Sequence, residues 1–414
     1  MMAQKSPNPS ENSEFIKTEN LGFDENDNSD KGRLGFIMTL LKKLIGVSDI
    51  ANLRISLPAQ MLDPIPNLEH YTWLDRPDYF ACLSQPEDPL ERMIGVVRYC
   101  FSKELKFAKE NIKKPYNSVL GEKFLCHWNV PLPNATDEKT VKVTMVSEQT
   151  SHHPPISAFW YECKETGVVA CGMDQVKAKF SGTSFKVEPG STAKGIYITL
   201  QNHGEEYHIS HPSGQIQGIL TGSPNLAYQE SYVISCPQTK LRAFIEFKPE
   251  RWIGKSRYLI EGKVFNFEPT YESSKTEPDM PPSSFKLSQV KDEHTLVNFW
   301  GSWRSKVFYN HGHTTKEEKL LIDIEEHDIV PKIVKPMEEM EEFESRKIWN
   351  EVTVNIKSRE FSKATKAKQA IEDAQRKRTA LRKEKGEIHE PEYFIISEEQ
   401  PHKPILKDNL DLKF

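Results

Sequence analysis

Glu148-Gln149-Thr150-Ser151-His152-His153-Pro154-Pro155 is the stretch from which the rest of this chain is best read. Two adjacent histidines precede two prolines. A proline biases the residue before it toward an extended conformation, so Pro154 acts on His153 and Pro155 on Pro154. In a regular strand neighbouring side chains point to opposite faces, which separates the two imidazoles. A bend or bulge lets both converge, and prolines within sheets sit at such places. Two imidazoles beside backbone amides make a seat for an anionic oxygen, and a bound phosphate favours their protonated forms. Three other readings stand beside this one. The residues form a turn with one buried and one exposed histidine. They belong to a metal site completed by His203, His208 and His211 or by His311 and His313, although no zinc-like spacing links them. Or one histidine is a general base beside Ser147 or Ser151, although no nucleophile-elbow pattern is present.

Around this stretch the chain is strand-like from about residue 119 to 310. Short β-rich runs recur at 141–146, 156–162, 168–173, 195–200, 207–211, 215–220, 229–236, 241–248 and 257–266. Gly, Pro, Asn and Ser punctuate them. Many short strands in series imply an antiparallel sheet that curls into a barrel. Before it, residues 88–112 carry Leu90, Met93, Ile94, Val97, Phe101, Leu105 and Phe107 at helical spacing. After it, residues 357–385 read as one long helix that is strongly basic from Lys363 onward. On that helix Lys368, Glu372 and Arg376 are spaced i, i+4, i+8 and share a face, drifting about 40° per step. Taken alone, that ladder is a carboxylate bridging two cations on a solvated face. The class is therefore mostly β with flanking helices, an α+β arrangement.

The N-terminal part has three characters. Residues 1–31 read as a disordered acidic tail. Within it Glu14-Phe15-Ile16 weakly suggests a docking motif, against the plainer reading of a solubilising segment. Residues 34–46 carry Ile37, Leu40, Leu41, Leu44 and Ile45 at helical spacing, with Lys42 and Lys43 opposite. This is a short amphipathic helix, able to pack on a core, cover a pocket or touch a bilayer surface. Residues 53–68 contain Pro58, Pro64 and Pro66, which favour an extended path lined by Leu57, Met61, Leu62 and Ile65.

Composition narrows the classes. The 414 residues carry a net charge of −5, which argues against a general nucleic-acid binder. No apolar run approaches the roughly 18 residues a membrane span needs. The six cysteines form no CxxC pair or metal-like spacing, which suggests a reducing compartment and no metal or other cofactor.

The eight-residue stretch with its continuation, EQTSHHPPISAF, resembles the fingerprint of the oxysterol-binding-protein-related family of lipid-transfer proteins. Lys114-Pro115-Tyr116-Asn117-Ser118-Val119-Leu120-Gly121-Glu122 resembles its second motif. The stretch from Glu344-Ser345-Arg346 to Arg376 resembles its C-terminal signature, and Pro391-Glu392-Tyr393-Phe394 also fits. The resemblance spans roughly residues 34 to 400, as in a short member of the family. It implies a large incomplete antiparallel β-barrel enclosing a lipid, an N-terminal helical lid and a C-terminal helical subdomain. The expected domains are the tail at 1–31, a lipid-binding domain at 32–400 and a C-terminal tail at 401–414. Within that domain the lid is 32–57, the barrel about 119–310 and the helical region about 336–400. The resemblance further implies that Lys114, Asn117, His152 and His153 line the barrel mouth, where the histidines and a lysine hold the 4-phosphate of phosphatidylinositol 4-phosphate. Lys368 and Arg376 would reach the inositol or its phosphates, and Glu372 would accept from inositol hydroxyls. No catalytic residue is implied.

Family members exchange that lipid for a sterol or for phosphatidylserine. Leu57-Pro58-Ala59-Gln60-Met61-Leu62-Asp63-Pro64-Ile65-Pro66-Asn67-Leu68-Glu69 resembles the phosphatidylserine branch. There the Leu57 position contacts phosphatidylserine, Asn117 lies beside the ligand, and Ile37 and Leu41 belong to the lid. The expectation is therefore a cytoplasmic, non-enzymatic carrier acting peripherally at endoplasmic reticulum–plasma membrane contact sites. It is without nucleic-acid partners and has a possible docking protein on the endoplasmic reticulum. A sterol exchanger and a phosphoinositide-responsive sensor are the alternatives.

Overall fold

The computed structural model describes Thr39, Lys42, Leu57 and residues 59–414, except 72, 111, 133–139, 220, 222, 250–257, 269–279, 283, 313–314 and 316. Ile37, Leu41, the 1–31 tail and nearly all of the expected lid lie outside the described residues.

Among the described residues, twelve strands form one antiparallel sheet. From one edge to the other its neighbours are Lys319–Asp323, Lys306–Asn310, Thr295–Ser302, Leu259–Asn266, Leu241–Phe247, Ser231–Cys236, Glu205–Ile209, Ile196–Leu200, Val168–Asp174, Pro155–Cys163, Thr140–His152 and Lys123–Pro131. The order follows the chain apart from two excursions. There the chain builds a separate four-stranded sheet from Val176–Phe180, Phe185–Pro189, Gly214–Gln217 and Asn225–Tyr228. The large sheet does not close, so it is an incomplete barrel with two edges. Unpaired backbone on an edge strand must be covered. Here His127 and Ile333 exchange both backbone hydrogen bonds at 2.9 Å, and Lys123 N–H donates to the Phe343 carbonyl.

The period of two decides what each face meets. Phe124, Cys126, Trp128 and Val130 enter the main core with Val141, Val143 and Met145. Leu125 points the other way, with Val146, Ala158 and Met173, under Tyr393 and Phe394. Residues 401–414, read as a tail from the sequence, lie against that outer face. Phe394–Ile395 pairs with Ile405–Leu406, and Leu410, Leu412 and Phe414 join the same cluster.

The 88–112 run is two helices, Pro89–Ser102 and Leu105–Lys109. Asp88 caps the first by accepting from Leu90 N–H at 2.9 Å, and Pro89 opens it. Ser102 Oγ donates to the Tyr99 carbonyl, a local competitor of the helical ladder. Asp75 then restarts the helix by accepting from Lys106 N–H at 3.0 Å. The break lets Lys103 and Glu104 pair inside the core, with the Lys103 ammonium 4.6 Å from the Trp73 ring centroid. The 357–385 run is likewise divided. Asn350–Lys357 ends through Arg359, which adopts a left-handed φ of 61°, and Phe361–Lys385 follows. Residues 53–68 are extended where described. Leu62–Pro66 pairs in parallel with Lys114–Tyr116, between a 3-10 turn at Ala59–Met61 and a helical turn at Asn67–His70.

Phe394→Ala tests whether the C-terminal hairpin belongs to the domain. Phe394 is 1% exposed, so its truncation should cost about 3–5 kcal/mol. The urea midpoint of unfolding should fall accordingly, and an unchanged midpoint would mean the hairpin is dispensable.

Candidate functional site

The strand Thr140–His152 and the strand Pro155–Cys163 form a hairpin whose turn is the two histidines' own segment. A register irregularity between Gln149 and Ser151 supplies the bulge, and the His153–Pro154 peptide is cis. The two rings converge edge to face, with centroids 4.5 Å apart. His152 is half-buried and His153 exposed. The turn reading and the convergence reading thus describe one geometry. His152 Nδ1 donates to the Ser118 carbonyl at 3.0 Å. A carbonyl can only accept, so the hydrogen sits on Nδ1 and Nε2 is left to accept or to take up a proton.

Ser118 belongs to the loop that follows Lys114–Tyr116. Lys114 Nζ donates to Asn117 Oδ1 at 2.5 Å. Lys114 is exposed to water and crowded on one side by protein. Desolvation first, and Lys368 second, lower its pKa to about 8, with Glu372 acting in the opposite sense. Lys368 is 6% exposed and its ammonium lies 2.8 Å from Glu372 Oε1. The structure therefore brings Lys114, Asn117, His152, His153, Lys368 and Glu372 into one region. Arg376 stands two turns beyond Lys368, half-exposed, and its Nε donates to Asp373 Oδ1 at 3.1 Å. Leu57 packs against the apolar cluster that includes Tyr116, Val119 and Trp349, of which Tyr116 and Val119 belong to the mouth segment.

The sequence assigned no role to the group that holds this region together. Glu122 is fully buried and accepts four hydrogen bonds. Val119 N–H donates at 2.9 Å, Ser118 Oγ at 3.3 Å, Ser345 Oγ at 2.7 Å and Trp349 Nε1 at 3.0 Å. Burial pushes its carboxyl above the ordinary range, while Trp349, Ser345, Val119 and Ser118 pull it back. The available signal was that Glu122 and Ser345 both fall inside the recognised motifs. Glu148, also within a motif, is a second buried anchor. It accepts from Glu392 N–H at 2.7 Å and Tyr393 N–H at 2.8 Å. Gly121 adopts a φ of +77°, and a Cβ there would meet His389 Cε1 at 3.2 Å, so glycine suits both the turn and the close approach. Ser147 lies buried within the sheet, and its hydroxyl has no hydrogen-bond partner among the described residues. A serine nucleophile needs its base within hydrogen-bond reach.

The arrangement is a cationic, hydrogen-bonding mouth on an apolar barrel. It is suited to bind a phosphomonoester attached to a hydrocarbon body. Three comparisons bear on it. The model of the oxysterol-binding protein family matches residues 36–277. The chain is 33% identical to oxysterol-binding protein-like protein 1 of Schizosaccharomyces pombe, covering 90% of this chain and 88% of that one. It is 30% identical to human oxysterol-binding protein-related protein 9, covering 87% of this chain and 47% of that longer protein. Among solved structures, the Osh3 ORD of Saccharomyces cerevisiae in complex with PI(4)P aligns with a TM-score of 0.64 at 17% identity, over 90% of each chain. The Osh1 ORD in complex with ergosterol aligns with a TM-score of 0.64 at 20% identity, over 90% of this chain and 86% of that one. At those identities the likeness establishes the fold.

The Lys114 ammonium gives the mouth a pH dependence. Its pKa is lowered, so the charge is present below about 8 and lost as pH rises through that value. Affinity for inositol 1,4-bisphosphate should fall between about pH 7 and 9.5, a range in which the phosphate itself is already doubly charged. Lys114→Arg, which keeps its charge, should flatten the profile in isothermal titration calorimetry. A wild-type profile that is already flat would contradict this.

Proposed function

The chain belongs to the oxysterol-binding protein family, and from that premise we propose that it is a lipid carrier that exchanges phosphatidylserine for phosphatidylinositol 4-phosphate. The observation that carries the reading is the mouth. Lys114 and Asn117, the His152–His153 turn, and Lys368 with Glu372 meet from three separated segments over an apolar core. A phosphomonoester brings about −1.5 to −2 charge. Two lysines, the Arg376 guanidinium and two titratable imidazoles offset it, with Glu372 left to accept from inositol hydroxyls. A bare anion buried without such partners would be strongly unfavourable. The PI(4)P bound by the related Osh3 domain supports this ligand class.

The counter-lipid rests on Leu57. Its packing against the cluster that includes Tyr116 and Val119 supports a role for an apolar side chain near the mouth, suited to the glycerol end of a two-chain lipid. Each acyl methylene left in water costs about 0.8 kcal/mol, so carriage requires near-complete enclosure and a cover over the mouth. Ile37 and Leu41 are the residues proposed for that cover. The carrier makes and breaks no covalent bond, and direction comes from a phosphoinositide gradient maintained elsewhere. Contact sites between endoplasmic reticulum and plasma membrane are the proposed place of work. A sterol in place of phosphatidylserine is the second reading, favoured by the ergosterol held by the Osh1 domain.

Incubating the protein with liposomes of phosphatidylcholine, phosphatidylserine, phosphatidylinositol 4-phosphate and ergosterol, then re-isolating and extracting it for mass spectrometry, tests the proposal. Both phosphatidylserine and phosphatidylinositol 4-phosphate should be recovered, and absence of both would overturn it. Leu57→Asp should cut phosphatidylserine loading at least about ten-fold, because one buried leucine is worth roughly 1.5–3 kcal/mol. It should largely spare the phosphoinositide. The His152→Ala, His153→Ala double variant should show the reverse emphasis. Equal loss of both lipids in Leu57→Asp, or ergosterol recovered instead of phosphatidylserine, would sink the phosphatidylserine assignment.

A further inference from the structure

The helix Phe361–Lys385 meets the mouth loop near Lys368, and the chain returns to that loop just beyond the helix's end. At one end Lys368 is close enough to Lys114 to depress its pKa. At the other, the helix stops at Gly386, with a φ of +66°. Gly386 N–H donates to the Lys383 carbonyl and Glu387 N–H to the Arg382 carbonyl, a left-handed cap that turns the chain back. Three residues later His389 sits against Gly121. Lys114 and Gly121 bound the mouth loop, and His152 is bonded to its middle at Ser118. At a rise of 1.5 Å per residue, Lys383 lies roughly 22 Å along the axis from Lys368.

One stripe of the helix runs the same way. Lys368, Glu372, Arg376, Thr379 and Lys383 follow at spacings of four, four, three and four, within an arc of about 80°. Exposure rises along its first three residues. The side chain is 7% exposed at Lys368, 24% at Glu372 and 46% at Arg376, and Lys383 is exposed. On the same helix Ala364, Thr365, Lys368 and Gln375 are buried, so the stripe borders the packed flank and shares it at its inner end. Three cations on the stripe are set against Glu372 on the stripe and Asp373 beside it, which pairs with Arg376. Glu384 lies away from the stripe by helical geometry.

We propose that Lys383 is the outer end of a cationic track that captures a phosphate-bearing headgroup and hands it by way of Arg376 to Lys368 and Lys114. This rests on the phosphoinositide reading above and adds to it a division of labour. The inner residues hold the phosphate, and Lys383 sets how fast it arrives. An exposed charge at the rim acts on association rate and on salt dependence, while desolvated contacts govern release. The graded burial along one stripe has that form: attraction begins where water still screens and strengthens where it is excluded.

Stopped-flow kinetics on the full chain test this with three probes. They are phosphatidylcholine vesicles carrying phosphatidylinositol 4-phosphate, vesicles of matched surface charge carrying phosphatidylglycerol, and inositol 1,4-bisphosphate in solution. Lys383→Glu should slow phosphoinositide uptake about three-fold or more at low salt, with release unchanged and the difference fading at high salt. Lys383→Gln should give a smaller slowing, and Lys377→Glu, the same charge change off the stripe, much less. A matching drop with inositol 1,4-bisphosphate assigns the effect to the phosphate itself. A drop confined to phosphoinositide vesicles assigns it to the membrane-presented headgroup. Either outcome supports the track. Equal slowing by Lys377→Glu, or an equal loss of attachment to phosphatidylglycerol vesicles, would overturn it in favour of general surface attraction. Unchanged uptake in Lys383→Glu, with normal loading by the wild type, removes the track alone. Failure of the wild type to bind either phosphoinositide probe removes the track and the underlying reading together.

Discussion

The buried carboxylate of Glu122 is the contact on which the mouth depends. It receives two donors from the loop at Ser118–Val119 and two from the C-terminal segment at Ser345 and Trp349. The barrel wall and the helical region are thereby fastened to the same two oxygen atoms. A buried carboxylate with four donors is satisfied, and the same carboxylate with fewer is costly, so the four groups are held in one arrangement. The residues proposed for the mouth border that junction. Ser118 offers its carbonyl to His152, Asn117 lies one residue before it, and Lys114 lies three before that. On the other side the Trp349 ring stacks on Tyr116 at 4.9 Å, a member of the cluster against which Leu57 packs. The residues proposed for the headgroup come from segments more than two hundred positions apart, and Glu122 ties the loop beside Lys114 and Asn117 to the C-terminal region that also carries Lys368.

The sequence was informative wherever a local rule decides the outcome. Period-two runs such as Val168–Asp174 and Leu241–Phe247 appear as strands because the main chain between turns has one economical pairing. The His-His-Pro-Pro stretch announced a bend because two prolines leave no regular alternative. Where the outcome depends on distant groups, the sequence was silent. The helix break at Lys103–Glu104 has no glycine or proline. It is made by Asp75, thirty-one positions upstream of the amide it caps. The break at Arg359 places a non-glycine residue in the left-handed region, which no propensity recommends. The role of Glu122 was invisible for the same reason: a glutamate two residues after a turn looks like a surface charge until its four donors are known. The residues proposed for the mouth were singled out by motif resemblance and not by spacing, since spacing left the Lys368–Glu372–Arg376 ladder as an ordinary solvated face.

Net charge was the least informative quantity. An overall −5 averages acidic segments over a cationic mouth. The separation has a physical use. Exposed charges beyond a Debye length of about 8 Å are screened from the site at physiological salt. Carboxylates farther from the mouth than that do little to oppose a phosphate there.

The cations of the mouth already have partners within the chain. Lys114 donates to Asn117, Lys368 pairs with Glu372, and Arg376 with Asp373. An incoming phosphate competes with these contacts instead of meeting bare charges. Its net gain is the difference between a strong charge-assisted bond and a good internal one. That difference is smaller than the gross attraction, so the headgroup is held without being trapped. Lys114 extends the argument. Its lowered pKa means that binding a dianion draws a proton onto the mouth, and release returns it, which further limits the depth of the bound state above neutral pH. A carrier needs this compromise more than it needs affinity. In the proposed carrier, internal pairing of the cations would let one site select a phosphate and still give it up.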